Sequence, residues 1–256
     1  TFEGDECLKL IKKLIQIDSR WVPSEPGYSL YIRPTLIGTQ SSIGISEPTD
    51  ALLFVILSPV GPYYSSGVKP IALEANPQYV RAWPGGTGNA KLGANYGPCI
   101  LPQREAAKKG YQQNLWLFGD EHYLTEVGTM NLFVQIGEQL LTPPLDGTIL
   151  AGVTRDTLLT LLREQGIDAK ECAISLDELA DAERRGRLGC AFGCGTAARL
   201  VRITEIGDHW RSIRFADNGF PAALAARLKS VQEAGTAEHA DWCIPVAGQR
   251  PGGAGA

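Results

Sequence analysis

Asn114-Leu-Trp-Leu-Phe-Gly-Asp-Glu-His-Tyr-Leu-Thr-Glu-Val-Gly-Thr-Met-Asn-Leu-Phe-Val-Gln-Ile136 sets two apolar runs on either side of a polar stretch punctuated by Gly119 and Gly128. Runs of this length, rich in aromatic and branched side chains, read as strands, so Asn114–Phe118 and Thr129–Ile136 flank a loop that contains Glu126. Downstream the period changes. Leu158, Leu159, Leu161 and Leu162 followed by Gly166 read as a helix with its stop signal, and Ser175-Leu-Asp-Glu178 is a capping box that opens another. A last helix is expected from Pro221 to Val231, with proline in its first turn. Upstream, Cys7, Leu8, Ile11, Leu14 and Ile15 share one face at helical spacing, which predicts an amphipathic helix from about Glu3 to Ile17. The runs Ser29–Gly38 and Ala51–Leu57 read as strands of a buried sheet. Strands and helices thus intermix without an internal repeat, and the fold class is mixed α/β (α+β).

The 256 residues carry 24 Lys and Arg against 28 Asp and Glu, a formal charge of −4, and 44% are hydrophobic. That is the composition of a folded chain, long enough for one large domain or two small ones. Ser58–Pro70, dense in Pro, Gly and Ser, reads as an interdomain linker. It separates a small domain, 1–57, from a large one, 71–243, and the Gly/Ala-rich tail 244–256 is expected to be disordered. With no dense Lys/Arg block, neither nucleic acid nor a membrane surface is expected as a partner. The longest apolar run, Ala51–Leu57, is far short of the ~20 residues that span a bilayer. No secretory signal pattern follows Thr1. Six scattered cysteines without a C-x-x-C pair, and only His122, His209 and His239 beside them, predict neither a disulfide framework nor a metal site.

Candidate chemistry gathers in four segments. Gly85-Gly-Thr-Gly-Asn-Ala-Lys91 presents a lysine behind three glycines, where backbone and ligand can approach closely. It is not a nucleotide phosphate loop, because Ala90-Lys91-Leu92 lacks the hydroxyl that would follow the lysine. A surface turn with a solvated lysine is the plain alternative. Glu126, with little charge near it in sequence, calls for a cationic partner, and a Lys/Glu couple could equally be a structural ion pair. Gly152-Val153-Thr154 enters the leucine-rich helix with free N–H groups and the positive dipole end, suited to a phosphate. Phe192-Gly-Cys-Gly-Thr-Ala-Ala198 reads as a Gly-flanked turn with exposed amides, suited to an anion. Each of these two could be plain capping or a tight turn. A reactive amine, an acid for a pyridinium nitrogen and helix-end amides for phosphate together meet the requirements of pyridoxal 5'-phosphate. Tyr96, five residues past Lys91, could bond the ring oxygen, or could simply cap a helix start.

Tyr31-Ile-Arg-Pro34, the run Arg81–Gly97, Leu124-Thr-Glu-Val-Gly-Thr-Met-Asn131, Thr142-Pro-Pro-Leu-Asp-Gly147 with Gly152-Val-Thr-Arg155, and Gly195-Thr-Ala197 resemble the branched-chain amino-acid aminotransferases in order and spacing. The resemblance extends from the first helix to about Trp242. It implies a two-domain fold type IV architecture dependent on pyridoxal phosphate, and amino transfer between Leu, Ile or Val and 2-oxoglutarate. The same fold group holds D-amino-acid aminotransferases and aminodeoxychorismate lyases, and an inactive remnant is a further alternative. By resemblance Lys91 joins the cofactor covalently and moves the substrate Cα proton, Glu126 keeps the pyridine nitrogen protonated, and Tyr96 bonds the ring hydroxyl. Val153, Thr154 and Thr196 would hold the phosphate. Thr196 and Ala197 would receive the substrate carboxylate with Thr129 at the rim, while Tyr31 and Arg33 take the side-chain carboxylate of glutamate. Relatives have a longer first domain, so the small domain is expected to be incomplete. Ala198 and Val201 replace the C-x-x-C pair of animal relatives, leaving Cys194 as the thiol expected near the site. A homodimer, in the cytoplasm or the mitochondrial matrix, is the implied setting.

Overall fold

The computed structural model describes residues 2–61, 69–208, 210–234 and 237–246. The chain divides into two compact units, Thr1–Gly67 with Ala234–Ala256, and Val68–Glu233. The second unit ends at Glu233, short of the boundary at 243 expected from the sequence.

In the first unit, helix α1 covers Gly4–Ile17 and shields the expected stripe, with Ile15 buried and Cys7, Leu8, Ile11 and Leu14 half-buried. Strands β1 (Ser29–Gly38) and β2 (Ala51–Val60) pair antiparallel from Ser29↔Val60 to Gly38↔Ala51. The two form a two-stranded sheet among the described residues, so each strand keeps an open edge, which is where Pro34 and Pro59 are tolerated. The expectation of buried sheet is therefore corrected: Leu36 is 57% exposed and Leu52 50%. An apolar run reports what a strand could bury, whereas cover must come from other elements. β2 also runs to Val60, so Ser58–Val60 belongs to a strand and not to the linker. Residues 62–68 of that linker, His209, and 247–256 of the expected tail lie outside the described residues.

The second unit is built in chain order from β3 (Ile71–Ala75), α2 (Ile100–Lys108), β4 (Gln113–Phe118), β5 (Tyr123–Val127), β6 (Met130–Ile136), β7 (Gln139–Thr142), α3 (Val153–Glu164), β8 (Lys170–Glu171), α4 (Leu176–Arg184), β9 (Leu188–Gly195), β10 (Arg199–Gly207), β11 (Ser212–Arg214) and α5 (Phe220–Ala234). Its sheet runs β11-β10-β3-β4-β5-β6-β7-β8, and β9 pairs with both β10 and β6. Those two extra pairings close β3, β4, β5, β6, β9 and β10 into a ring, so that β11 and β8 are left as the outer strands. Pairing is parallel at β10/β3, β3/β4 and β7/β8, and antiparallel elsewhere.

On one face of β6 and β9, Phe133 stacks on Phe192 with ring centroids 5.0 Å apart. Leu158 and Leu162 of α3 and Leu224 and Leu228 of α5 close over that pair, all fully buried. Each such leucine contributes roughly 1.5–3 kcal/mol of burial, and together they fix α3 against the sheet. At α4 the capping box is complete: Ser175 Oγ accepts from the Glu178 amide, and the Glu178 carboxylate accepts from the Ser175 amide at 2.6 Å. Ser175→Ala is expected to lower stability by about 1 kcal/mol, read as a lower urea midpoint with an unchanged slope; an unmoved midpoint would show the cap to be dispensable.

Candidate active site

Cross-strand register builds the centre of the site. Glu126 on β5 pairs with Asn131 on β6, and Asn131 pairs with Cys194 on β9, so the three side chains share one face. The segment leading into α3 crosses that row. Asn131 Nδ2 donates to Leu150 O at 2.9 Å, and a Cβ on Gly152 would stand 2.2 Å from Asn131 Oδ1. Only glycine allows the backbone to lie that close.

Glu126 is 2% exposed and sits on a strand, not in the loop expected from the sequence. Tyr-Leu-Thr-Glu-Val is short and does not alternate apolar with polar residues, so it is its partners β4 and β6 that make it a strand. One carboxylate oxygen accepts from the Leu150 amide at 2.7 Å, and the other lies 3.0 Å from Arg81 Nε, with both side chains 3% exposed. The cation that this acid requires is thus Arg81, whereas the sequence points to Lys91. Burial pushes the carboxyl up to about 7, against the pull of Arg81, the Leu150 amide and the more distant Lys91.

Lys91 stands exposed, with Nζ 3.2 Å from the Tyr96 hydroxyl and 5.4 Å from the centre of its ring. The loop that presents it is held by two buried side chains. Arg81 Nη1 donates to Gly88 O at 3.2 Å and to Thr148 O at 2.8 Å. Asn95 Nδ2 donates to Thr87 O and Ala90 O at 2.7 and 2.8 Å, and Asn95 Oδ1 accepts from Thr87 Oγ1. A Cβ on Gly88 would lie 2.5 Å from Thr148 O, so this glycine is needed for close approach. Neither Arg81 nor Asn95 stands out from the sequence as a site residue. Both lie inside the run Arg81–Gly97, and the demand of Glu126 for a cation was the signal that could have found Arg81.

α3 starts at Val153 behind Gly152, and no side chain caps its N-terminus. Val153 is 79% exposed, and Thr154 is buried. Phe192–Gly195, which reads as turn in the sequence, is the end of β9; the turn itself is Thr196–Ala198, after which Arg199 takes a positive φ of 56°. Thr129 O lies 3.7 Å from a Cβ placed on Gly195, so Thr129 adjoins that turn. Thr129, Thr196 and Ala197 are all exposed. The structure therefore brings Lys91 to Tyr96, and gathers Thr129, Thr196 and Ala197 beside the row that holds Glu126. Tyr31 and Arg33 belong to the first unit, where Arg33 Nη2 donates to the Tyr31 hydroxyl at 3.2 Å. Cys194 is fully buried, its thiol pushed up to about 12 by burial. Cys99 also feels the charges of Arg81 and Glu126, so Cys194 is not alone near the site. Among the described residues no group of three His, Cys, Asp or Glu could hold a metal ion, and no helix is long and apolar enough to cross a membrane.

The family model for amino-transferase class IV matches residues 1–206. The mitochondrial branched-chain-amino-acid aminotransferase of Saccharomyces cerevisiae is 56% identical over 217 residues, which cover 81% of this chain and 55% of that protein. Its cytosolic counterpart is 48% identical over 259 residues, covering 94% of this chain and 68% of that protein. Among solved structures, the branched-chain aminotransferase of Thermoproteus uzoniensis with norvaline shares the fold, with a TM-score of 0.81 at 24% identity over 96% of this chain and 76% of that one. The branched-chain amino acid aminotransferase of Thermobaculum terrenum, in its PLP form, gives a TM-score of 0.73 at 21% identity, covering 96% of this chain and 76% of that one. The chain spans about half the length of the first of these curated relatives.

Proposed function

Because the chain belongs to the class IV aminotransferase family, we propose that its site binds pyridoxal 5'-phosphate and moves amino groups between branched-chain L-amino acids and 2-oxoglutarate. The observation that carries this reading is an amine resting on a phenol, Lys91 on Tyr96, within the electrostatic reach of one buried acid, Glu126. The donor set fits the cofactor. Amine and phenol suit its aldehyde and ring oxygen, and an uncapped helix end suits its phosphate. The Glu126 oxygens each hold one partner and each have capacity for another.

When bound, the cofactor supplies an electron sink for the charge left as the substrate Cα loses its proton. Lys91 Nζ takes that proton and returns it, and the Tyr96 hydroxyl and the clamped loop hold Nζ in place. An ionised Glu126 favours a proton on the pyridine nitrogen, and the acid itself is buried, where such a charge counts most. The amides of Val153 and Thr154, with Thr196, bind the phosphate through unpaired N–H groups and the helix dipole. The turn at Thr196 and Ala197 receives the substrate carboxylate, with Thr129 at its rim. Tyr31 and Arg33, already joined to each other, offer a phenol and a planar guanidinium to the side-chain carboxylate of the acidic substrate. The assembly proposed is a homodimer, and the compartment cytoplasm or mitochondrial matrix; the curated relatives include one named mitochondrial and one named cytosolic.

The full chain, supplied with pyridoxal phosphate, L-leucine and 2-oxoglutarate, is expected to form glutamate and the branched 2-oxo acid. Transfer restricted to D-alanine, or release of pyruvate from aminodeoxychorismate, would move the chain to another branch of its fold group. A cofactor that keeps its free-solution spectrum would identify an inactive remnant.

A further inference from the structure

We propose that Arg81 is a positioning residue whose single guanidinium ties the Glu126 carboxylate to the loop that presents Lys91, so that acid and amine are set as one unit. The proposal rests on the reading of Lys91 and Glu126 given above, but its geometry does not. Nε forms an ion pair with Glu126 at 3.0 Å, and Nη1 donates to Gly88 O in the lysine loop and to Thr148 O in the turn before α3. That same turn supplies the Leu150 amide to the other Glu126 oxygen. Acid, amine loop and entry to α3 therefore converge on one planar fork that is 3% exposed. A lysine could restore the charge but not an ion pair on one side together with two carbonyl bonds on the other.

Two consequences separate charge from geometry. The charge favours the ionised form of Glu126, against the burial that pushes its carboxyl up to about 7. The groups that face Glu126 are Arg81, Lys91, Cys99 and Cys194, and burial raises both thiols, so they stay protonated across pH 5–8. Of the two cations, Arg81 exerts the larger pull and Lys91 the smaller. Loss of an opposite charge at this range raises a carboxyl pKa by ~1–3 units. The geometry, by contrast, holds the backbone at Gly88 against Thr148, where only glycine fits. The Asn95 clamp on Thr87 and Ala90 remains when Arg81 is changed.

The test uses the full chain without cofactor, so that it survives even if the functional reading fails. Carbon-13 labelled glutamate follows the Glu126 carboxyl by NMR, with the signal assigned from Glu126→Gln, while amide exchange follows Gly88–Leu92. Arg81→Met is expected to move the Glu126 midpoint upward by ~1–3 pH units and to speed loop exchange about tenfold or more. Arg81→Lys is expected to keep the midpoint near that of the unaltered chain and yet speed exchange to a similar degree. A midpoint that does not move in a folded Arg81→Met chain would overturn the charge role, and unchanged exchange in both variants would overturn the geometric one. Should Arg81→Met fail to fold, Arg81→Lys decides alone: fast exchange with an unmoved midpoint supports the proposal, and slow exchange overturns it. In the loaded enzyme, the same upward shift should appear in the pH profile of kcat for Arg81→Met, a change that simple loss of stability would not produce.

Discussion

Lys91→Ala should abolish the visible absorption band that pyridoxal phosphate acquires on binding, and reduce amino transfer to the uncatalysed background. The side chain is exposed and, among the described residues, bonds only to Tyr96, so its removal leaves the fold intact and the loss reports chemistry. Two functions disappear with one atom: the covalent attachment through Nζ, and the base that takes the Cα proton. Neither water nor Tyr96 can replace both. Cofactor affinity should fall as well, though the proposed phosphate contacts at α3 would remain. Borohydride reduction of the loaded protein followed by peptide mapping provides the positive control, with the label expected on the peptide that contains Lys91. A retained visible band in Lys91→Ala, or a label at another lysine, would remove this residue from the reaction.

Glu126→Gln should preserve cofactor binding and slow Cα proton abstraction by at least ~10²-fold, the scale of a single positioned electrostatic group. Glutamine fills the same volume and can still accept from the Leu150 amide, but it brings no charge to oppose Arg81 or to hold a proton on a ring nitrogen. A primary isotope effect on turnover of α-deuterated leucine should grow as this step becomes limiting. Near-normal turnover would exclude the role. The variant also tests stability without cofactor. The folded carboxyl titrates at about 7, above its ordinary value of 4.5. Its contribution is therefore fully present below about pH 4.5 and is lost as pH rises through 7. Glu126→Gln lacks this group, so its stability should fall less over that window, as denaturant midpoints measured between about pH 4.5 and 8 would reveal.

Local features were legible from the chain alone. The capping box at Ser175 and Glu178, the positive-φ stop at Gly166 and the stripe on α1 are each decided by residues a few positions apart. The spacing of Lys91 and Tyr96 belongs with these, since five residues and a tight turn bring the two together whatever lies around them. The motifs shared with branched-chain aminotransferases carried the rest of the functional reading, because they run through several segments in the same order. Non-local pairing was not legible. Tyr123–Val127 has strand-forming residues but no alternation to mark it off from the loop, and nothing near Glu126 in sequence indicates that Arg81 completes it. Exposure was equally hidden: Ser29–Gly38 and Ala51–Val60 are apolar enough for a core, yet as a two-stranded sheet they leave Leu36 and Leu52 uncovered.

Closure of the strand ring has a consequence for how the protein comes into being. Thr204 Oγ1 donates to Ile71 O across a separation of 133 residues, and β10 lies parallel to β3 beside it. A ribosome completes the lysine loop and the acid-bearing strand well before β9 and β10, which seal the ring, have left the exit tunnel. Nascent chains must therefore wait, half-assembled and with adhesive strand edges bare, for late-arriving partners, and contacts this remote in sequence are the slow ones to form. Chaperone demand should accordingly persist until β9 and β10 have emerged.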